Sequence, residues 1–259
     1  GGGWWIDTSS RHGMRRYCAK ELMLAAGTIA STRLALGALA APPARVRLQS
    51  NPMAAFLLCL PGALGIPRTP SFGLAQLSFT AALPGGDAAF GNTFSTAGLP
   101  VSEFLAHLPV SRRAGIPLLR GLLSSTVVGN AFLPGRLSEH TVGLSQDGSL
   151  QIAGGESEDM SVIMRGLRST LAHGFRRLGA WMLPGSFVAG ARGADLHYAS
   201  TMPIRQNPAT HECRMDGQIA GLPGVYAVDG ASLPLLPAKA HTLTIMANAD
   251  RIARRLPVT

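Results

Sequence analysis

Two histidines and one aspartate stand in settings that suit proton transfer and ligand binding. His197 opens the run HYAST (197–201), an imidazole in a loop followed by small residues. His241 closes PAKAH (237–241) and is followed by TLTIMANA, which reads as the start of a helix. Asp229 and Gly230 lie in VYAVDGASLP (225–234), an apolar strand that delivers a carboxylate into a tight turn. Neutral imidazole titrates nearer working pH than any other side chain, so one of the two histidines could serve as a general base. The second could hold a hydrogen bond that orients the reacting group. A helix beginning at Thr242 directs its free amides, those of Thr242 and Leu243 included, and its positive dipole end at whatever lies before it.

The other five histidines, His12, His107, His140, His173 and His211, have no such company and read as structural or surface residues. The three cysteines are scattered at 18, 59 and 213 and form no C-x-x-C pair. Neither a disulfide framework nor a zinc site is expected from them, and a reducing, cytoplasmic setting is favoured. The segment NPAT at 207–210 is no glycosylation signal, because its second residue is proline.

Several elements must position these residues. Short strands are expected at 4–7 and 16–19, with a turn between them, then a buried strand in ELMLAAG (21–27) and a helix from about Ser31 to Leu39. Gly27 lets the backbone turn between strand and helix. The stretch from Arg45 to Pro70 is apolar but rich in Gly and Pro, so it reads as irregular, a crossing between domains. Alternating residues predict strands at 72–82, 125–132, 140–144 and 149–152, all in one sheet, with Asp147-Gly148 making a hairpin turn. Capping chemistry at 157–159 opens a helix whose Met160, Ile163, Met164, Leu167, Leu171, Phe175 and Leu178 share one face, which should lie across that sheet. A strand at 224–229 and a helix over 242–256 close the chain.

The 46% hydrophobic and 14% charged composition over 259 residues is that of an ordered globular protein with one large core or two modest ones. The most apolar stretch, 53–66, is broken by Pro61 and Gly62 and is too short to span a bilayer. The net charge of +9 is spread over separate arginine pairs with no aromatic ladder, so nucleic acid is not an expected partner. The opening GGGWWID has no secretory pattern.

The order of these segments is similar to the C-terminal end of the glucose-methanol-choline (GMC) oxidoreductases. His197 matches that family's His-x-x-x-Thr loop and His241 its later catalytic position. The segment LAAGTIASTRL (24–34) resembles the strand-turn-helix that leads out of the family's first flavin-domain segment. The resemblance implies an α/β chain, with a partial FAD-binding domain and an α+β substrate domain whose mainly antiparallel sheet is covered by helices. It implies a first FAD-domain segment over 1–44, a substrate-binding domain over 45–190 and a last FAD-domain segment over 191–259. It further implies FAD as cofactor and oxidation of the CH–OH group of a small-molecule alcohol, as oxidase or alcohol dehydrogenase. In that reading His197 is the base and His241 the orienting partner, while Gly27, Tyr198, Asp229, Gly230, Thr242 and Leu243 meet the flavin nucleotide.

One feature departs from the family. No G-x-G-x-x-G occurs between a strand and a helix anywhere in the chain, so the pyrophosphate cradle is missing. The chain also does not start with Met, and it is expected to be a fragment truncated at its front, inactive alone, whose FAD grip needs a missing N-terminal half or another polypeptide. The competing reading is a non-catalytic scaffold or binding module derived from such an oxidoreductase.

Overall fold

The computed structural model describes residues 3–66, 76–96, 111, 113, 115–116, 122–155, 157, 159–191 and 197–256. Those residues form a mixed α/β structure with mainly antiparallel sheets. The chain divides into two compact units. The first gathers Gly1–Asn51, Ser138–Glu156 and Leu196–Thr259; the second gathers Pro52–Leu137 and Ser157–Asp195.

The first unit opens with a hairpin of β1 (Trp4–Ser10) and β2 (Gly13–Ala19), both longer than expected. β3 (Leu22–Leu24) then leads through Gly27 into α1 (Thr28–Ala38). Gly27 adopts φ +87°, a conformation that costs other residues about 1 kcal/mol or more, and this sharp turn starts the helix three residues earlier than its apolar spacing suggested. β14 (Val225–Ala227) pairs in parallel with β3, Val225 opposite Leu22 and Ala227 opposite Leu24. α3 (Thr242–Ala253) closes the described chain.

A four-stranded sheet supplies the rest of this unit, in the order β10 (Leu150–Ala153), β9 (His140–Leu144), β4 (Val46–Ser50), β13 (Tyr198–Ala199). β9 and β10 form the expected hairpin, with Gly148 at φ +76° in its turn. Leu24, Leu36, Leu48, Val142, Met202, Ile219 and Ala227 fill one core cluster of this unit.

The second unit is built on the sheet β11 (Trp181–Met182), β5 (Met53–Cys59), β8 (Thr126–Phe132), β7 (Ala88–Ser95), β6 (Leu77–Ala82), with β12 (Val188–Ala189) also on β5. α2 (Met160–Arg177) lies across it, as its apolar face predicted. Met160, Met164, Leu167, Leu171 and Phe175, at helical spacing, are buried against Phe56, Leu58 and Ala81 of the sheet.

Three expectations are corrected here. The stretch 45–59 is not irregular but holds β4, buried except at Arg47, and β5, in which buried and half-buried residues alternate. Its Gly and Pro residues concentrate after Leu60, while Pro52 falls between the two strands, where it removes no ladder hydrogen bond. The four alternating segments do not share one sheet. β6 and β8 belong to the second unit, whereas β9 and β10 join β4 in the first, because an alternating pattern marks a strand but not its partner. The start of α2 has no side-chain cap, since Asp159 at its N-cap makes no capping hydrogen bond and Ser157 contributes only its carbonyl, to the Met160 amide. Residues 67–75, which include the start of the strand expected from Phe72, and His107 lie outside the described residues.

Candidate active site

The site is assembled in the first unit by three loops. The antiparallel register of β13 on β4 sets Tyr198 opposite Ser50 and Ala199 opposite Gln49, which brings His197, just before β13, to the end of β4. The segment that follows then runs beside the turn after β14. Ser200, Met202 and Ile204 donate backbone hydrogen bonds to the carbonyls of Gly230, Ala231 and Ser232. Ser200 takes φ +65° to begin this course. His241 is delivered by the loop before α3, whose Leu236 amide is held by the Gln49 side chain at 2.8 Å.

The two imidazoles meet edge to face, with ring centroids 4.8 Å apart and planes at 83°. Burial lowers the pKa of His197 below its ordinary value. Burial does the same for His241, and the neighbouring His197 lowers it further, because a second positive charge beside the first is unfavourable. The pair is thus held neutral near neutral pH and is able to take up a proton. His241 is 9% exposed, and its buried Nδ1 has no hydrogen-bond partner among the described residues. His197 Nδ1 lies 3.2 Å from Asn51 Oδ1.

Asp229 is the hub between the turn after β3 and the turn after β14. One carboxylate oxygen accepts from the Gly27 amide at 2.9 Å and from the Ser31 hydroxyl; the other accepts from the Ala231 amide at 2.9 Å. Gly230 is required by packing, since a Cβ there would come within 2.6 Å of Thr28 Oγ1 and 2.9 Å of the Tyr198 carbonyl. Those two neighbours are themselves bonded, Thr28 Oγ1 donating to the Tyr198 carbonyl at 2.7 Å.

A cavity of about 840 Å³ gathers nearly all the residues singled out from the sequence: Gly27, His197, Tyr198, Asp229, Gly230, His241 and Thr242 line its wall. Leu243 does not. Its side chain is 79% exposed, and only its backbone amide, in the first turn of α3, is directed towards the N-terminal end. The start of α1 reaches the same wall through Thr28, Ile29 and Ala30. Neither α1 nor α3 has a side-chain cap, so two sets of helix-start amides converge on one cavity, an arrangement that favours an electron-rich ligand.

The structure adds residues that sequence reasoning missed. Asn51 was hidden in a stretch read as irregular. Arg33 lines the cavity from the second turn of α1 and donates from Nε to the Gly148 carbonyl at 2.9 Å. Its only sequence signal was a cation near the beginning of a helix expected to start at Ser31. Ser149 and Leu150 enter from the β9–β10 hairpin, which no local pattern connects with α1.

No family model and no curated sequence matches this chain. Solved structures do. Pyridoxine 4-oxidase from Mesorbium loti superimposes with a TM-score of 0.60 at 15% identity, over 97% of this chain and 54% of its own. A formate oxidase of Aspergillus oryzae RIB40, studied for the effect of a mutation on FAD modification, gives a TM-score of 0.65 at 12% identity, over 96% of this chain and 56% of its own. The chain therefore has the fold of part of these oxidases and spans about half the length of each. The resemblance to GMC oxidoreductases read from its motifs extends to the fold.

The donor set also bears on a flavin nucleotide. The open wall beside Gly27, where a Cβ would meet nothing within 4 Å, and the helix-start amides offer approach and donors to a large electron-rich group. The residues present fit such a group along this side. Among the described residues no group of His, Cys, Asp and Glu could hold a metal ion, and no helix is long and apolar enough to cross a membrane.

Proposed function

We propose that this chain is the C-terminal portion of an FAD-dependent oxidoreductase of the GMC type, acting on the CH–OH group of an alcohol. The observation that carries the reading is the edge-to-face pair of neutral, mostly buried imidazoles on the wall of the same cavity as two uncapped helix starts. The neighbouring folds support it, since both are named as oxidases and the formate oxidase is described with FAD.

In this reading the unit that holds the histidines is the FAD-domain part and the unit built on β5–β8 is the substrate domain; β4, β9 and β10, inside the 45–190 range expected for the substrate domain, then go with the FAD-domain part. Gly27, Tyr198, Asp229 and Gly230 would line the nucleotide, and the α3 amides of Thr242 and Leu243 would stabilise negative charge gained on reduction. FAD, when bound, supplies the acceptor for the hydride leaving the carbinol carbon. His197 takes the hydroxyl proton. His241 orients the alcohol oxygen by a hydrogen bond; burial keeps both rings neutral before the substrate arrives, and the neighbouring His197 lowers the pKa of His241 further. A positioned base of this kind contributes about 10²–10⁴ in rate. Because G-x-G-x-x-G is absent from these 259 residues, the pyrophosphate grip comes from other sequence, in the same or another polypeptide.

The test is an FAD titration followed by flavin absorbance, on this chain alone and together with a polypeptide carrying the fingerprint half of the fold. The assembled form should retain flavin that bleaches on adding alcohols, and H197A/H241A should slow bleaching by about 10²–10⁴ with flavin still bound. Failure of both forms to retain flavin would favour a scaffold. Full turnover in the double variant would remove both histidines from the chemistry.

A further inference from the structure

Asn51 is fully buried at the end of β4, and both ends of its amide are used. Its Nδ2 donates to the Pro237 carbonyl at 3.0 Å, and its Oδ1 faces His197 Nδ1 at 3.2 Å. The first contact fixes the second. A carbonyl oxygen can only accept, so the amide must turn its NH2 towards Pro237, and the oxygen is left facing the imidazole. That oxygen can only accept as well. His197 Nδ1 must therefore carry the hydrogen, and in the neutral ring Nε2 then holds the lone pair.

The backbone makes this contact a consequence of register. β13 pairs with β4 so that Tyr198 lies opposite Ser50, and one further step of the same antiparallel register sets His197 opposite Asn51. Alternation along β4 does the rest. Gln49 and Asn51 share a face, and both reach the loop that leads to His241, Gln49 through the Leu236 amide and Asn51 through the Pro237 carbonyl. One strand end thus holds the ring of one histidine and the approach to the other.

We propose that Asn51 is a positioning residue that locks His197 as the Nδ1–H tautomer, so that Nε2 is the proton-accepting atom, and that it ties this ring to the loop carrying His241. The proposal rests on the reading of His197 as a base, but the tautomer is a property of the chain itself and needs no flavin to be observed. In its absence a neutral imidazole in water favours the Nε2–H form, so the lock selects the less common tautomer. Among the described residues a titratable group packed against His197 is His241, and its edge-to-face contact does not supply the oxygen acceptor that Asn51 does.

The experiment is nitrogen NMR on the chain labelled with ¹⁵N-histidine, at a pH where the rings are neutral, with His197 assigned by its loss in H197Q. The expected result is an Nδ1–H, lone-pair Nε2 signature for His197. N51D, which keeps an acceptor oxygen, should retain that tautomer, and N51L should move it towards Nε2–H while the other histidine signals stay in place. An Nε2–H signature in the unaltered chain overturns the proposal whatever the variants do, and so does a folded N51L that keeps Nδ1–H. If N51L fails to fold, the unaltered chain and N51D decide. Loss of flavin binding in the assembled enzyme with the Nδ1–H signature intact would count against the oxidoreductase reading and leave the positioning role standing.

Discussion

The two units of this chain are stabilised in different ways. The second has an apolar, aromatic core: Phe56 packs with Phe79, Phe175 and Phe187 at centroid distances of 5.8–6.3 Å, and Phe79 meets Phe175 edge to face at 5.3 Å. The first buries polar groups. Among the described residues, all the buried polar ones except Thr93, Thr96 and Ser125 belong to it, and Asp229, Ser31, Thr32, Thr201, Gln49 and Asn51 form hydrogen bonds that tie separate loops together. Apolar packing tolerates many shapes of similar volume, whereas a hydrogen bond fixes which atom faces which. The unit that must hold two imidazoles in a set orientation is the one that carries the polar wiring.

The largest effect that would separate the two units is expected in the aromatic core. Phe56→Ala removes the ring at the centre of that cluster and should cost about 3–5 kcal/mol, read from urea or guanidinium unfolding. If unfolding shows two transitions, only the one belonging to the second unit should move, with the signals of His197 and His241 unchanged. A similar loss in both units would mean that they do not differ as described.

A smaller effect is expected at the hub of the first unit. Asp229→Asn keeps size and shape but sets an amide NH2 against donors, because one carboxylate oxygen faces the Gly27 amide and the Ser31 hydroxyl and the other faces the Ala231 amide. Either orientation leaves a backbone N–H without its acceptor, at a cost of about 2–3 kcal/mol. A denaturation midpoint equal to that of the unaltered chain would show that the network is not tight.

The smallest effect is a pH dependence confined to the first unit. Burial lowers the pKa of His197, His241 and His211 in the folded chain below the ordinary 6.5. The unfolded chain therefore binds protons first as pH falls. The stability linked to these rings is fully present above 6.5 and is lost as pH falls from there through the lower folded-state values. H197Q/H241Q should flatten the fall of the denaturation midpoint between about pH 7 and about pH 5. An unchanged slope would place the titration elsewhere.

Much of the architecture could be read along the chain wherever the signal is local. The 160–177 helix follows from apolar residues at helical spacing, the β9–β10 hairpin from Asp147-Gly148, and β14 and α3 from short apolar runs next to a tight turn and a loop. The candidate site was legible as three loops with His197, Asp229 and His241 in order. β4 and β5 were missed because the composition of a long window masked two short strands within it. Asn51 was lost with them.

The sequence by itself determined which residues could do chemistry and which local elements would present them, because side-chain type, period and turn propensity act over a few neighbouring residues. Only the tertiary structure decided that β4 pairs with both β9 and β13, that Asn51 faces His197, that Arg33 and the β9–β10 hairpin border the same cavity as the histidines, and that the side chain of Leu243 lies outside it. These outcomes depend on pairings between residues some 90 to 150 positions apart, as in Leu48 with His140 and Ser50 with Tyr198. Such pairings are chosen by the burial and hydrogen bonding of the whole unit, which no local stretch of the chain encodes.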